Sequence, residues 1–198
     1  MTRSRMIFAA ACLALAAAIA LAAAMIPHGS RTREGTGGDV GGPFQLVDQD
    51  GRARDQSLLN GKYSVVFFGF TFCPDVCPTM LQTLGAAQDR LGTKAKKLQI
   101  VFVSVDPERD TPAVLKTYMT NAGFPKGVTA LTGTPEQVAR AAKAYRVYYA
   151  KSGEGPDYAM DHSTAAYLMD PKGRFVKVIP AGLSPDDMAD QIRKGMAG

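Results

Sequence analysis

Beyond residue 42 the chain alternates short apolar runs with amphipathic segments. Pro43-Phe44-Gln45-Leu46-Val47 alternates and runs into Asp48-Gln49-Asp50-Gly51-Arg52, which predicts an opening hairpin. Leu58-Leu59-Asn60-Gly61-Lys62 then turns into an apolar strand over Tyr63 to Phe70. From Pro78 to Leu91, Met80, Leu81, Leu84, Ala87 and Leu91 recur at helical spacing, and Gly92 supplies the stop. Leu98 to Val105 has few polar breaks, as in a parallel strand covered on both faces. Thr111-Pro112 reads as an N-cap followed by a first-turn proline, opening a helix to about Asn121.

Val128 to Leu131 is a short strand. Thr134-Pro135-Glu136-Gln137 opens a helix ending near Tyr145, with a capping-box glutamine three residues after the threonine. Arg146 to Ala150 reads as extended and Lys151 to Pro156 as a loop. Ser163 to Met169, the turn Asp170-Pro171-Lys172-Gly173 and Phe175 to Ile179 form a terminal hairpin. Ser184-Pro185-Asp186-Asp187 caps a last helix. Strands alternating with helices predict an α/β domain over residues 43–198. Its central sheet is mostly parallel and finishes in an antiparallel pair.

The N-terminus has a different pattern. Met6 to Ile26 is an uncharged, Ala- and Leu-rich run that follows Arg3 and Arg5, and a bilayer needs about 20 such residues. Residues 1–28 are expected to be a transmembrane anchor, with positive charge holding the short N-terminus in the cytoplasm. A cleaved export signal ending at Ala22-Ala23-Ala24 is the alternative. Both export the domain. Cys12 reads as a small apolar residue of that run. Residues 29–42, rich in Gly, Thr and Arg, read as a flexible linker.

Composition changes this picture little. The chain of 198 residues is 46% hydrophobic and 21% charged, enough for one domain with a real core. Its formal charge is +5, of which Arg3, Arg5, Arg31 and Arg33 against Glu34 supply +3. The remaining surplus is too small to mark a nucleic-acid binder.

The chemistry lies in Cys73-Pro74-Asp75-Val76-Cys77-Pro78, at the end of the first central strand. Proline pushes the residue before it out of helical conformation, so both cysteines are expected to be extended or capping, with the helix starting at Pro78. The unpaired N–H groups at a helix start favour thiolate over thiol. Such a pair can act as a redox dithiol or hold a soft metal ion. A plain stabilising disulfide is the bland alternative, and it gains little by closing so short a loop. In an oxidising compartment a working pair needs a thiol reductant or a protecting metal.

This order of elements, with cysteines at that position, is what a thioredoxin-like domain shows. On such a sheet the loop before the terminal hairpin faces the cysteine loop. That loop carries His162, the one histidine of the folded domain; His28 lies at the membrane end of the linker. Two thiolates and an imidazole suit copper(I), copper(II) or zinc, and spacing alone excludes none of them. Asp161 points away from its neighbour in extended chain and is not counted as a ligand.

Phe67 to Pro78 resembles the cysteine loop of the Sco/SenC copper chaperones. Ser104-Val105-Asp106-Pro107-Glu108-Arg109-Asp110-Thr111-Pro112 resembles their second signature. Asp161-His162-Ser163, with Tyr167 to Pro171 and Gly173, resembles their third. The resemblance runs from about Pro43 to Met196. It implies a thioredoxin-like fold tethered outside the inner membrane, in the periplasm or an equivalent space; the sequence says little about oligomerisation, and a monomer is the default expectation. It also implies copper bound by Cys73, Cys77 and His162, and a role in building the dinuclear copper centre of cytochrome c oxidase subunit II by delivering copper or reducing cysteines. Asp75 and Asp106 are shared with the family and are expected to be surface carboxylates capping loops. A metal-independent thiol–disulfide oxidoreductase, a peroxidase and a copper or redox sensor remain alternatives on the same fold.

Overall fold

A computed structural model describes residues 40–197. The expected anchor over residues 1–28, with Cys12 and His28, and most of the expected linker over 29–42 lie outside the described residues. Among the described residues no helix is long and apolar enough to cross a membrane.

The chain forms β1 (Gln45–Asp48), β2 (Ala53–Asp55), β3 (Tyr63–Gly69), α1 (Val76–Leu91), β4 (Leu98–Ser104), α2 (Pro112–Tyr118) and β5 (Thr129–Thr132). There follow α3 (Pro135–Ala144), β6 (Tyr149–Ser152), β7 (Ala159–His162), β8 (Ala166–Met169), β9 (Phe175–Ile179) and α4 (Pro185–Gly195). Seven strands form one sheet in the order β2-β1-β5-β4-β3-β8-β9, and β6 and β7 pair in a separate two-stranded sheet. At the centre β3, β4 and β5 run parallel; β1 and β8 flank them antiparallel.

The expected caps are in place. Thr111, Thr134 and Ser184 each accept an N–H of the first turn through the side-chain oxygen, and Thr134 with Gln137 completes the capping box. The first hairpin is held by Asp48, whose carboxylate accepts the N–H groups of Asp50 and Arg52 and pairs with Arg54 at 2.7 Å.

Three expectations need correction. α1 begins at Val76 rather than Pro78, so Cys77 is helical despite the proline after it. The first turn needs no intrahelical N–H, and the residue four positions before Pro78 lies outside the helix, so the usual penalty is absent. The segment read as a loop over Lys151 to Pro156 begins as strand, and β6 pairs with β7 from Tyr149↔His162 to Ser152↔Ala159. β8 starts at Ala166 rather than Ser163, so His162 ends a hairpin strand of its own.

The core lies between the sheet and its helices. α1 buries Met80, Leu81, Leu84, Ala87 and Leu91, and packs beside α4. Each fully buried leucine there contributes about 1.5–3 kcal/mol. Gly85 also faces inward, where a Cβ would overlap the carbonyl oxygen of Gly123. Gly to Ala in a helix interior ordinarily stabilises by about 1 kcal/mol. Here the close approach reverses the sign. Gly85→Ala is expected to lower stability by about 1–3 kcal/mol in urea unfolding; an unchanged or raised midpoint would contradict the packing described.

Candidate metal centre

The site sits beyond the C-terminal ends of β3 and β4. Their ladder pairs Tyr63 with Leu98 through to Gly69 with Ser104, so the loops leaving both strands emerge side by side. β3 ends in the cysteine loop. β8 runs antiparallel on its other side, with Ala166 opposite Phe67. His162 lies four residues before Ala166, and this register carries it to the cysteine loop.

Cys77, on the first turn of α1, is fully buried; Cys73, on the loop, is half-buried. Both are free thiols. A Cβ on Gly69 would lie 2.8 Å from Cys77 Sγ, so only glycine lets the sulfur sit against the strand end. The Cys77 N–H points at Cys73 Sγ across 3.4 Å. His162 Nε2 stands 3.5 Å from Cys77 Sγ. The candidate ligand atoms of Cys73, Cys77 and His162 all lie within 4.8 Å of one another. Ligands bonded at about 2.3 Å to one ion lie at most about 4.6 Å apart, so a small contraction would bring all three onto one ion.

Hydrogen bonding settles which nitrogen faces the sulfurs. His162 Nδ1 is 2.8 Å from the carbonyl oxygen of Ser163. A carbonyl only accepts, so Nδ1 carries the proton and the Nε2 lone pair is directed at the cysteines. The ring is held edge-on against Phe67 and Phe70, with centroids 6.5 and 5.7 Å away. Burial lowers the His162 pKa, which keeps the imidazole neutral and able to ligate.

The two cysteines divide what the sequence assigned to both. Burial pushes the Cys77 thiol far up, outweighing the backbone hydrogen bond from Phe70 that pulls it down. The helix start thus does not make Cys77 a thiolate, a correction whose cause is desolvation. The N–H at the start of α1 serves Cys73 instead.

Asp75 and Asp106 part company as well. Asp75 is exposed at the start of α1 and makes no side-chain cap bond; it accepts from Thr79 Oγ1 at 3.3 Å. Asp106 is 2% exposed and therefore no surface carboxylate. It accepts from Arg109 Nε and from the Tyr158 hydroxyl, each at 2.5 Å. Asp110, which sequence reasoning passed over, is also buried and ties the loops together. It accepts from the Thr71 hydroxyl at 2.6 Å, the Thr71 N–H at 3.1 Å and the Ser104 hydroxyl at 2.6 Å. Burial raises its pKa, with those hydrogen bonds opposing. The only trace of this role in the sequence is its place in the run between β4 and α2.

A profile of the SCO1/SenC family matches residues 32–197. Protein SenC of Rhodobacter capsulatus is 40% identical over 192 residues, covering 93% of this chain and 86% of that protein. Mitochondrial SCO1 of Saccharomyces cerevisiae is 41% identical over 157 residues, which are 77% of this chain; the chain spans 52% of that longer protein. The copper-bound structure of Bradyrhizobium japonicum ScoI superposes with a TM-score of 0.72 at 42% identity, over 79% of this chain and 99% of that one. BsSco is described as a member of the Sco family of cytochrome c oxidase assembly proteins with a disulfide switch. It superposes with a TM-score of 0.62 at 26% identity, over 79% and 94% of the two chains.

Because the Cys77 thiol holds its proton at neutral pH, loading a thiophilic metal must release it, whereas neutral His162 has none to give up on Nε2. Apparent metal affinity should therefore rise about tenfold or more from about pH 7 to about pH 8. Chelator competition at the two pH values measures this. An affinity independent of pH would show that Cys77 does not ligate.

Proposed function

The chain belongs to the SCO1/SenC family, and from that premise we propose that it is a membrane-tethered, extracytoplasmic copper-binding protein of cytochrome c oxidase assembly. It delivers copper to the dinuclear centre of subunit II, or reduces the cysteines that build that centre. The observation that carries the reading is the convergence of two free thiols and an imidazole lone pair at one buried-to-open edge of the sheet. Copper is preferred to zinc because relatives of this fold are described with copper bound and because thiolate and imidazole donors suit it.

In this reading Cys73, Cys77 and His162 are the ligands and copper is the cargo. Cys73 lies nearer solvent and meets the acceptor first. Cys77, more deeply set, holds the ion together with His162 until an acceptor thiolate replaces the protein's sulfurs one at a time. His162 keeps its Nε2 lone pair aimed at the cysteines because Ser163 holds the other ring nitrogen. The run Met6 to Ile26 anchors the chain in the inner membrane, residues 29–42 lift the domain off it, and the monomer faces the periplasm or its equivalent.

The same two sulfurs serve the reductive branch. The Cys73 thiolate attacks a sulfur of the acceptor's disulfide and releases the other as a thiolate. Cys77, deprotonated as it attacks, then closes on Cys73 and frees the second acceptor thiol. Two electrons pass to the acceptor, and a separate thiol reductant resets the pair. The division between a more open Cys73 and a buried Cys77 favours this order.

The test is an oxygen-free titration of the reduced, metal-free full chain in detergent with copper(II), followed by visible absorption and spin resonance. A one-to-one coloured complex is expected. His162→Ala should weaken it by more than about a hundredfold, beyond the loss typical of an outer-shell change. Oxidation of the pair with copper left unbound, and no effect of His162→Ala, would leave a dithiol reductant and remove copper from the proposal.

A further inference from the structure

One arginine, outside the three-ligand set, connects the two pieces of chain that supply the ligands. Arg109 stands in the loop between β4 and α2. Its guanidinium carbon is 4.6 Å from the ring centroid of Phe72 and 3.6 Å from that of Tyr158. Phe72 immediately precedes Cys73. Tyr158 immediately precedes β7, the strand that ends in His162. Arg109 also binds the backbone of the second piece: Nη1 donates to the carbonyl of Tyr158 at 2.9 Å and of Pro156 at 3.4 Å.

The contacts continue on both sides. Arg109 Nε pairs with the buried Asp106, which also accepts the Tyr158 hydroxyl, so arginine, carboxylate and phenol form a closed triangle. Lys151 of β6 lies 3.8 Å from the Tyr158 ring centroid and pairs with Glu108 at 3.1 Å. Arg109 Nη2 is buried with no hydrogen-bond partner. Its placement therefore follows the aromatic surfaces rather than a full set of acceptors.

The β6–β7 hairpin needs such an attachment. It is a two-stranded sheet separate from the main one, and a lone hairpin is marginal in water. The Tyr158 ring, the Pro156–Tyr158 backbone and Lys151 tie it to the Asp106–Arg109 loop, and Phe72 ties that loop to the cysteines. A guanidinium suits the position because it is planar, stacks on aromatic rings and donates in several directions at once; an ammonium does not.

We propose that Arg109 is a positioning residue: through Phe72 and Tyr158 it holds the His162 hairpin against the Cys73 loop and sets the reach of His162 to the metal. The inference rests on the metal-site reading above, and it makes a separate statement about the metal-free chain. Arg109→Ala strands the buried Asp106 without its cation and endangers the fold. Two milder variants serve instead. Arg109→Lys keeps the charge and loses the plane. Phe72→Ala removes a ring that is 60% exposed and leaves the Arg109–Asp106 pair intact.

The experiment uses the full chain in detergent, reduced, with each variant made in the parent and in the His162→Ala background. Without metal, amide hydrogen exchange is read over residues 159–162 and over the β3–β4 ladder. Each variant is expected to speed exchange in β7 about tenfold, the scale of a desolvated cation–aromatic contact, and to leave the ladder unchanged. With copper(II), each should lower affinity about tenfold while His162 is present and by less than about twofold once it is alanine. Unchanged β7 exchange in both variants would overturn the proposal. Equal affinity losses in the two backgrounds would also overturn it, because Arg109 would then act on the cysteines or on stability at large. If the parent chain takes up no copper, the metal-site reading fails, and the exchange data alone decide whether Arg109 holds the hairpin.

Discussion

The parallel ladder between β3 and β4 is the constraint on which the site depends. Seven consecutive pairs, buried on both faces, hold the two strand ends level at Gly69 and Ser104. Because parallel strands leave the sheet in the same direction, the cysteine loop and the Asp106–Asp110 loop emerge as neighbours. Thr71 and Ser104 can then share the carboxylate of Asp110. Pairing of β8 on the far side of β3 brings His162 to the same edge. A slip of one residue in that register would turn every side chain of β8 to the opposite face and withdraw His162 with it.

Within this frame, burial and backbone polarity compete at Cys77. The start of α1 offers unpaired N–H groups that favour an anion, and the packed strand end beside Gly69 excludes the water an anion needs. For Cys77 exclusion wins, and its thiol is pushed up. Cys73, one step outside the packed region, receives the N–H of Cys77. The loop and the first turn of α1 thus present two free thiols of unlike exposure.

Much of this was legible in the chain. Caps at Thr111, Thr134 and Ser184 are local chemistry, each an oxygen and a proline or glutamine within one turn, and they stand where the residues put them. The apolar runs of β3 and β4 and the helical spacing of α1 are equally local. What failed to show was non-local. The hairpin of β6 and β7 has mixed polar faces and only four residues per strand, so no alternation announced it. Asp106 looked like a surface carboxylate because nothing in its neighbours reveals that Tyr158, 52 residues away, closes over it.

The sequence by itself determined the candidate donor types, their spacing and the order of elements, because those follow from side-chain chemistry and from hydrogen bonds within a turn or a strand. The motifs were distinctive enough to identify the family before any coordinate. Only the tertiary structure decided which cysteine is buried, which nitrogen of His162 faces the sulfurs, and that Arg109 lies between Phe72 and Tyr158. Each of these depends on desolvation or on contact between residues tens of positions apart. Such quantities exist only once the sheet has brought those residues together.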